Sequence, residues 1–162
     1  MGPPDIHGSK TNFDEAVFQD SGEAGLGVVI RNHEGDVMVA LLEKIPLPSS
    51  VVILEMLAAQ CATLFFHEVG LHDSIMEGDS KIVINSLTKG YMIQSSFGHL
   101  VKDTLFYVHS LRSFCFSDTF RQGNYVTDAL AKKAKFSPSF FVWMEYVPSD
   151  ISSFVMADKP IS

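Results

Sequence analysis

The chain has 162 residues, 46% of them hydrophobic, which is enough to form the core of one globular domain. Its charged residues make up 19% of the chain and are spread along it, a pattern that excludes a long disordered charged tail. Nineteen acidic residues against twelve Lys and Arg leave a net charge of −7, which excludes a broadly basic surface for nucleic acid. Any contact with a phosphate backbone must therefore be local.

Three features of the sequence predict an intracellular protein in the nucleus or cytoplasm, neither secreted nor membrane-bound. Residues 1–10 combine prolines with polar side chains, unlike the basic and apolar regions of a signal peptide. The longest apolar run, Val51–Phe66, is interrupted by polar residues and is expected to be too short to span a membrane. Cys61 and Cys115 lie in apolar segments, where free thiols are commoner than disulfides.

The first third of the chain predicts an antiparallel meander. The strands are expected, after a flexible lead at 1–9, at Lys10–Phe18, Ala24–Asn32 and Val37–Ile45. The turn sequence His33-Glu34-Gly35-Asp36 separates the second strand from the third. Apolar residues at helical spacing then predict a helix that begins after Ser49 or Ser50 and ends near Gly70.

The rest of the chain predicts alternating strands and helices. The segments are a strand at Ser74–Glu77, a helix at Lys81–Leu87, a linker at 90–96, a helix at Phe97–Leu111, a strand at Phe114–Phe120 and a helix from near Asn124. This alternation favours parallel pairing in an α/β sheet. We expect one domain over residues 10–148 and a tail at 149–162, with no regular structure assigned to 138–162.

Four acidic residues lie at positions that call for an explanation. Glu55 is surrounded by apolar residues in the first predicted helix, and Asp14 lies within an apolar strand. A buried carboxylate costs several kcal/mol unless it is paired or binds a cation, so a structural ion pair and a metal site are both open. Asp79 follows a strand and Asp128 lies in the first turn of a helix, where ordinary helix capping is the commoner explanation.

Several short segments occur in an order that is similar to one known family. They are Asn12-Phe13-Asp14, Gly25-Leu26-Gly27-Val28-Val29-Ile30-Arg31, Leu54-Glu55, Glu77-Gly78-Asp79-Ser80 and Asn124-Tyr125-Val126-Thr127-Asp128-Ala129-Leu130-Ala131. The series resembles type-1 ribonuclease H, and most closely the plant domains related to non-LTR retrotransposon reverse transcriptases. The resemblance implies a ribonuclease H-like α/β fold, a five-stranded mixed sheet with helices packed against it.

The resemblance also implies a site and a reaction. Asp14, Glu55, Asp79 and Asp128 match the family's four catalytic, metal-binding carboxylates. Two Mg²⁺ or Mn²⁺ ions roughly 4 Å apart would activate water and stabilise the leaving 3′ oxygen. The implied reaction is endonucleolytic hydrolysis of the RNA strand of an RNA–DNA hybrid by a monomer, with RNA selected through its 2′-hydroxyl groups.

Candidate contacts to nucleic acid lie around the last helix. They are Asn124, Arg121, Lys132, Lys133 and Lys135. Asn124 is equally well explained as a helix N-cap. The lysines form a small basic group beside Asp128 that could touch phosphates.

One departure from the family pattern leaves a second function open. Glu15 stands where the family usually has glycine, and strand alternation predicts that its side chain points to the face opposite Asp14. The alternative is a catalytically weak or inactive nucleic-acid-binding domain of retrotransposon origin.

Overall fold

The computed structural model describes residues 9–70, 73–89, 98–108, 113–118, 125–145 and 150–151. The strands are β1 (Ser9–Phe18), β2 (Glu23–Arg31), β3 (Val37–Pro46), β4 (Asp73–Gly78), β5 (Ser113–Asp118) and β6 (Phe140–Met144). The helices are α1 (Val51–Glu68), α2 (Lys81–Lys89), α3 (Gly98–Val108) and α4 (Tyr125–Lys133), and a short 3₁₀ turn, Ala134–Phe136, follows α4. These elements confirm the predicted strands and helices up to α4. The predicted linker at 90–96 lies outside the described residues.

The sheet is mixed, with the strand order β5-β4-β1-β2-β3-β6. β1, β2 and β3 form the predicted antiparallel meander, and β4 and β5 add parallel to β1. These strands are the expected five-stranded mixed sheet. The sheet therefore places the end of β4 beside the middle of β1.

A sixth strand extends this sheet where we expected no regular structure. β6 pairs antiparallel with β3, with Leu41 opposite Val142, and it forms one edge of the sheet. Its sequence, Phe-Phe-Val-Trp-Met, lacks the alternation of polar and apolar residues that predicts a half-buried strand. The unpaired backbone groups of β3 supply the partner, which is a tertiary effect and not a local one.

The two faces of the sheet are covered differently. On one face, α1 packs against Phe13, Leu26 and Val28 in the larger apolar core. On the other face, α4 packs through Val126 and Leu130 in a smaller core. Because side chains alternate along a strand, neighbouring residues of β1 and β2 serve different cores.

Helix α1 begins as predicted, because the Ser50 hydroxyl accepts a hydrogen bond from the backbone N–H of Ile53 at 3.2 Å. Among the described residues it is the one helix that is, at 18 residues, long and apolar enough to cross a membrane by length and composition. The expectation that this segment is too short is thus not met by length alone. Core helices pass the same test, and Leu54, Met56 and Phe66 of α1 are fully buried in the apolar core.

Candidate metal and nucleic-acid site

Three carboxylates meet at one place on the sheet, and we call them the acidic cluster: Asp14, Glu15 and Asp79. One oxygen from each lies within 4.8 Å of the other two. Asp14 is only 7% exposed, Glu15 is half-buried and Asp79 is exposed. The cluster therefore runs from the interior of the sheet to the solvent.

The strand register explains why Asp14 and Asp79 meet. β1 and β4 run parallel, and their last pair is Asn12 with Glu77. Asp14 and Asp79 each lie two residues beyond that pair, so they are level with one another. Ligands commonly bind at the carboxyl ends of parallel strands, which is where Asp79 lies.

Glu15 corrects one sequence-based expectation. Glu15 pairs with Leu26, a residue of the core against which α1 packs, and Asp14 pairs with Gly27. The two neighbouring residues therefore do start from opposite faces of β1. Its carboxylate nevertheless joins the acidic cluster, so the prediction that it points away from Asp14 is wrong. The ladder between β1 and β4 ends at Asn12, which leaves the longer Glu15 side chain room to reach the end of β4.

A hydrogen bond holds the two neighbouring acids together. The backbone N–H of Glu15 donates to Asp14 Oδ1 at 2.9 Å, which turns the Asp14 carboxylate towards the next residue of the strand. The bond is local and depends only on β1. It therefore contributes to the convergence of two side chains that strand alternation alone would separate.

The electrostatics of the acidic cluster are those of crowded negative charge. Burial raises the pKa of Glu15 to about 9, and the negative charges of Asp14, Glu55 and Asp79 and a side-chain hydrogen bond with Asp14 act in the same direction. Burial and the neighbouring negative charges thus favour the protonated form of Glu15. The oxygen donors of this cluster are those that hard divalent cations prefer.

Glu55 lies close to the acidic cluster but is engaged elsewhere. Its Oε2 accepts a hydrogen bond of 2.5 Å from the hydroxyl of Ser80, the residue after Asp79. The same hydroxyl oxygen accepts from the backbone N–H of Val83 at 3.4 Å, within the first turn of α2. Glu55 is not one of the described residues that are close enough together to share one cation. The carboxylate that seemed costly in an apolar helix is therefore stabilised in part by Ser80.

Asp128 also lies outside the acidic cluster and has a cationic partner. Its Oδ2 lies 2.9 Å from Lys132 Nζ, one turn further along α4. The backbone of α4 nevertheless approaches the sheet closely. The approach is so close that a side chain at Gly27 would overlap the carbonyl oxygen of Thr127. Gly27 is the β2 partner of Asp14, so the backbone at Asp128 is one residue away from this contact.

The three candidate lysines of this region each form an ion pair, and we call these the lysine–acid pairs. Lys132 pairs with Asp128 at 2.9 Å, Lys133 with Asp150 at 3.1 Å and Lys135 with Asp20 at 3.1 Å. The last contact lowers the pKa of Asp20, chiefly through the hydrogen bond from Lys135. The charge of the basic group is thus compensated. Arg121 and Asn124, the other two candidates, lie outside the described residues.

Sequence reasoning missed the place of Glu15 in the acidic cluster and the acidic partners Asp20 and Asp150. The adjacency of Asp14 and Glu15 was visible in the sequence, but strand alternation argued against a shared site. Asp20 and Asp150 lie 115 and 17 residues from their lysines along the chain, and no local pattern connects them. Only the tertiary structure brings these charges together.

With this geometry established, comparison with known proteins identifies the family. Residues 12–134, which are most of the chain, match the reverse transcriptase-like family. The chain belongs to that family. No match was found among curated protein sequences.

Solved structures show that this reverse transcriptase-like domain has the ribonuclease H fold. RNase H1 of the halophilic archaeon Halobacterium salinarum aligns with a TM-score of 0.72 at 21% identity, covering 79% of this chain and 97% of that one. The N-terminal RNase H domain of a Mycobacterium tuberculosis protein aligns with a TM-score of 0.68 at 18% identity, covering 78% and 91%. LC11-RNase H1, solved in complex with an RNA/DNA hybrid, aligns with a TM-score of 0.62 at 19% identity, covering 77% and 94%.

Proposed function

We propose that this domain is a metal-dependent endoribonuclease that hydrolyses the RNA strand of RNA–DNA hybrids. The observation that carries the proposal is the acidic cluster, which lies at the end of β4 in a ribonuclease H fold. The RNA/DNA hybrid bound to LC11-RNase H1 supports the class of substrate. The order of the motifs supports a relation to the plant branch and to non-LTR retrotransposons.

The residues that would hold the metal ions come from different elements of the fold. Asp14, buried in β1, and Asp79, exposed just after the end of β4, would hold the divalent cation from two neighbouring strands. The resemblance assigns to Glu55 and Asp128 the task of completing the coordination of two Mg²⁺ or Mn²⁺ ions. Such ions, when bound, activate the attacking water and stabilise the leaving oxygen. The exposure of Asp79 leaves the solvent side open for the scissile phosphate.

The nucleic acid is proposed to lie along the start and outer face of α4. Lys132, Lys133 and Lys135 would exchange their carboxylate partners for phosphates, because exposed ion pairs contribute only about 0–1 kcal/mol. Asn124 and Arg121 are proposed as further contacts. The protein would act as a monomer, with few phosphate contacts and weak binding at physiological salt.

A second candidate function is favoured by one observation. Asp128 Oδ2 is paired with Lys132 Nζ at 2.9 Å, so that a cation at Asp128 competes with the lysine for this carboxylate. If displacement is unfavourable, the domain binds nucleic acid with little or no turnover. Such a domain would be a remnant of a retrotransposon enzyme.

Cleavage of a hybrid whose RNA strand carries an end label decides between the two functions. We expect internal cuts in the RNA strand with Mg²⁺ or Mn²⁺, none with EDTA, and none in duplex DNA. An Asp79→Asn protein prepared in parallel should be inactive, which excludes a contaminating nuclease. A hybrid that stays intact at high protein concentration and millimolar metal contradicts the enzyme and leaves the binding domain.

A further inference from the structure

We propose that Glu15 is itself a ligand of the divalent cation, which is then held by the Asp14-Glu15 pair of β1 together with Asp79. Glu55, to which the resemblance assigns this role, is a positioning residue that acts through Ser80. The inference rests on the proposed function only in that a divalent cation binds at the acidic cluster. It reverses the expectation that the Glu15 side chain points away from Asp14.

The distances in the acidic cluster suit coordination. Two oxygens bound to one Mg²⁺ at about 2.1 Å are separated by roughly 3.0 Å when adjacent and 4.2 Å when opposite. The three carboxylates already offer oxygens within 4.8 Å of one another, so small side-chain rotations close the site. Glu15 belongs to this set and Glu55 does not.

The position of Glu15 is fixed by the same strand that fixes Asp14. Both residues pair with β2, opposite Leu26 and Gly27, and the Glu15 N–H donates to Asp14 Oδ1. Ligands carried by one rigid strand lose little conformational freedom when a cation binds. The donors come from both faces of β1, and the end of the β1–β4 ladder lets them converge.

The contacts of Glu55 indicate a different task. Its Oε2 accepts from the Ser80 hydroxyl, whose oxygen also caps α2 through the Val83 N–H. Ser80 directly follows Asp79, so this chain of bonds links α1, the start of α2 and the exposed ligand. Glu55 thereby holds the segment that carries Asp79 in place. Groups that orient metal ligands in this way commonly change metal affinity when they are replaced.

Metal affinity of the full chain tests the ligand assignment without requiring turnover. Mn²⁺ binding is measured by electron paramagnetic resonance of the free ion, for wild type, Glu15→Gln, Glu15→Asp and Glu55→Gln. Glu34→Gln, which removes an exposed charge on the β2–β3 turn, is the matched control. We expect Glu15→Gln and Glu15→Asp each to weaken binding about tenfold or more, and Glu34→Gln to leave it unchanged.

Glu15→Asp is the decisive variant, because it keeps the charge and withdraws the oxygens by one methylene. If Glu15 acted only through its charge, this variant would bind Mn²⁺ like wild type, and the inference would be overturned. Binding by Glu15→Gln that equals or exceeds that of Glu34→Gln would also overturn it, as would a wild type that binds no Mn²⁺. Circular dichroism establishes that each variant is folded.

The positioning role of Glu55 has its own readout. Glu55→Gln and Ser80→Ala should each weaken Mn²⁺ binding less than Glu15→Gln does, and the double variant should be no weaker than the worse single one. Ser80→Thr, which keeps the hydroxyl, should restore binding. Fully additive losses, or a larger loss for Glu55→Gln than for Glu15→Gln, would overturn the assignment of Glu55.

The failure of this inference is distinguishable from failure of the proposed function. A protein that binds Mn²⁺ in a Glu15-dependent manner but leaves the hybrid intact supports the inference and removes the enzyme. A wild type that cleaves the hybrid, with a Glu15→Gln variant that binds Mn²⁺ and cleaves equally well, removes the inference and keeps the enzyme.

Discussion

The acidic cluster and the lysine–acid pairs differ in the charges that surround their carboxylates. In the acidic cluster, Glu15 is surrounded by Asp14, Glu55 and Asp79, and their charges add to the effect of burial in raising its pKa. Along and beyond α4, each of three acids has a lysine nitrogen within 3.1 Å. In the first region the groups that act on Glu15 are other acids, whereas in the second each acid has a lysine of the chain beside it.

This difference separates two kinds of acidic residue that look alike in the sequence. An acid with a lysine partner on the surface contributes little to stability and requires no ligand. Crowded carboxylates in a partly buried place repel one another, which a divalent cation relieves. Asp128 lies between the two kinds, since it is close to the sheet but is already paired with Lys132.

Asp14→Asn should have the largest effect. Loss of a central ligand should lower hybrid cleavage by more than about 100-fold, since even indirect partners of a metal contribute 10–100-fold. In EDTA the variant should be as stable as wild type or more so, because repulsion is relieved. Asp150→Asn, which removes an acid from a lysine–acid pair, should keep its activity. Marked destabilisation of metal-free Asp14→Asn would show that Asp14 is a structural carboxylate.

Gly27→Ala should break the contact that brings the two regions together. The added methyl group would overlap the Thr127 carbonyl oxygen and force α4 away from β2, which costs about 2–3 kcal/mol. Urea unfolding measures the loss. Gly70→Ala is a useful comparison, because that position has a φ of +80° but open space, so the cost should be only about 1 kcal/mol. Equal costs at both positions would contradict close packing of α4 on Gly27.

The pH dependence of stability should report the crowding at Glu15. Its pKa in the folded protein is about 9 against an ordinary value of 4.5, so between these values the folded state holds a proton that the unfolded chain has lost. Stability in EDTA should therefore fall as pH rises through this window, by on the order of 2 kcal/mol after relaxation.

Thermal unfolding from pH 5 to 9 measures this dependence. Glu15→Gln should be less sensitive to pH over the same range, and Glu34→Gln should behave like wild type. A Glu15→Gln protein that keeps the full dependence would show that another group is responsible.

The smallest effect is expected at the lysine–acid pairs. The double variant Asp20→Asn/Asp150→Asn frees Lys135 and Lys133, so it should bind a hybrid roughly threefold more tightly at low salt. Fluorescence anisotropy in EDTA, with salt varied, measures affinity without cleavage. The slope of log affinity against log salt, about −3 for some three phosphate contacts, should become steeper. Unchanged affinity and slope would place the hybrid elsewhere on the surface.

Much of the fold could be predicted from local patterns. The meander, the cap of α1 at Ser50 and the later strands and helices follow from periodicity and turn residues, which act over a few residues. β6 could not be predicted in this way, because its partner is the edge of β3 about a hundred residues earlier in the chain. Strand pairing at such a distance leaves no local signal.

The candidate site, like the fold, could be predicted from the sequence only in part. The sequence by itself determined that four acids, Asp14, Glu55, Asp79 and Asp128, stand in the order of a ribonuclease H series and that two of them lie in apolar surroundings. The tertiary structure decided which carboxylates converge. It brought Glu15 together with Asp14 and Asp79, and it placed the Glu55 carboxylate against the Ser80 hydroxyl. The reason is physical, because side-chain length, the end of a strand ladder and the approach of a helix set these distances, and none of them is encoded in residue spacing.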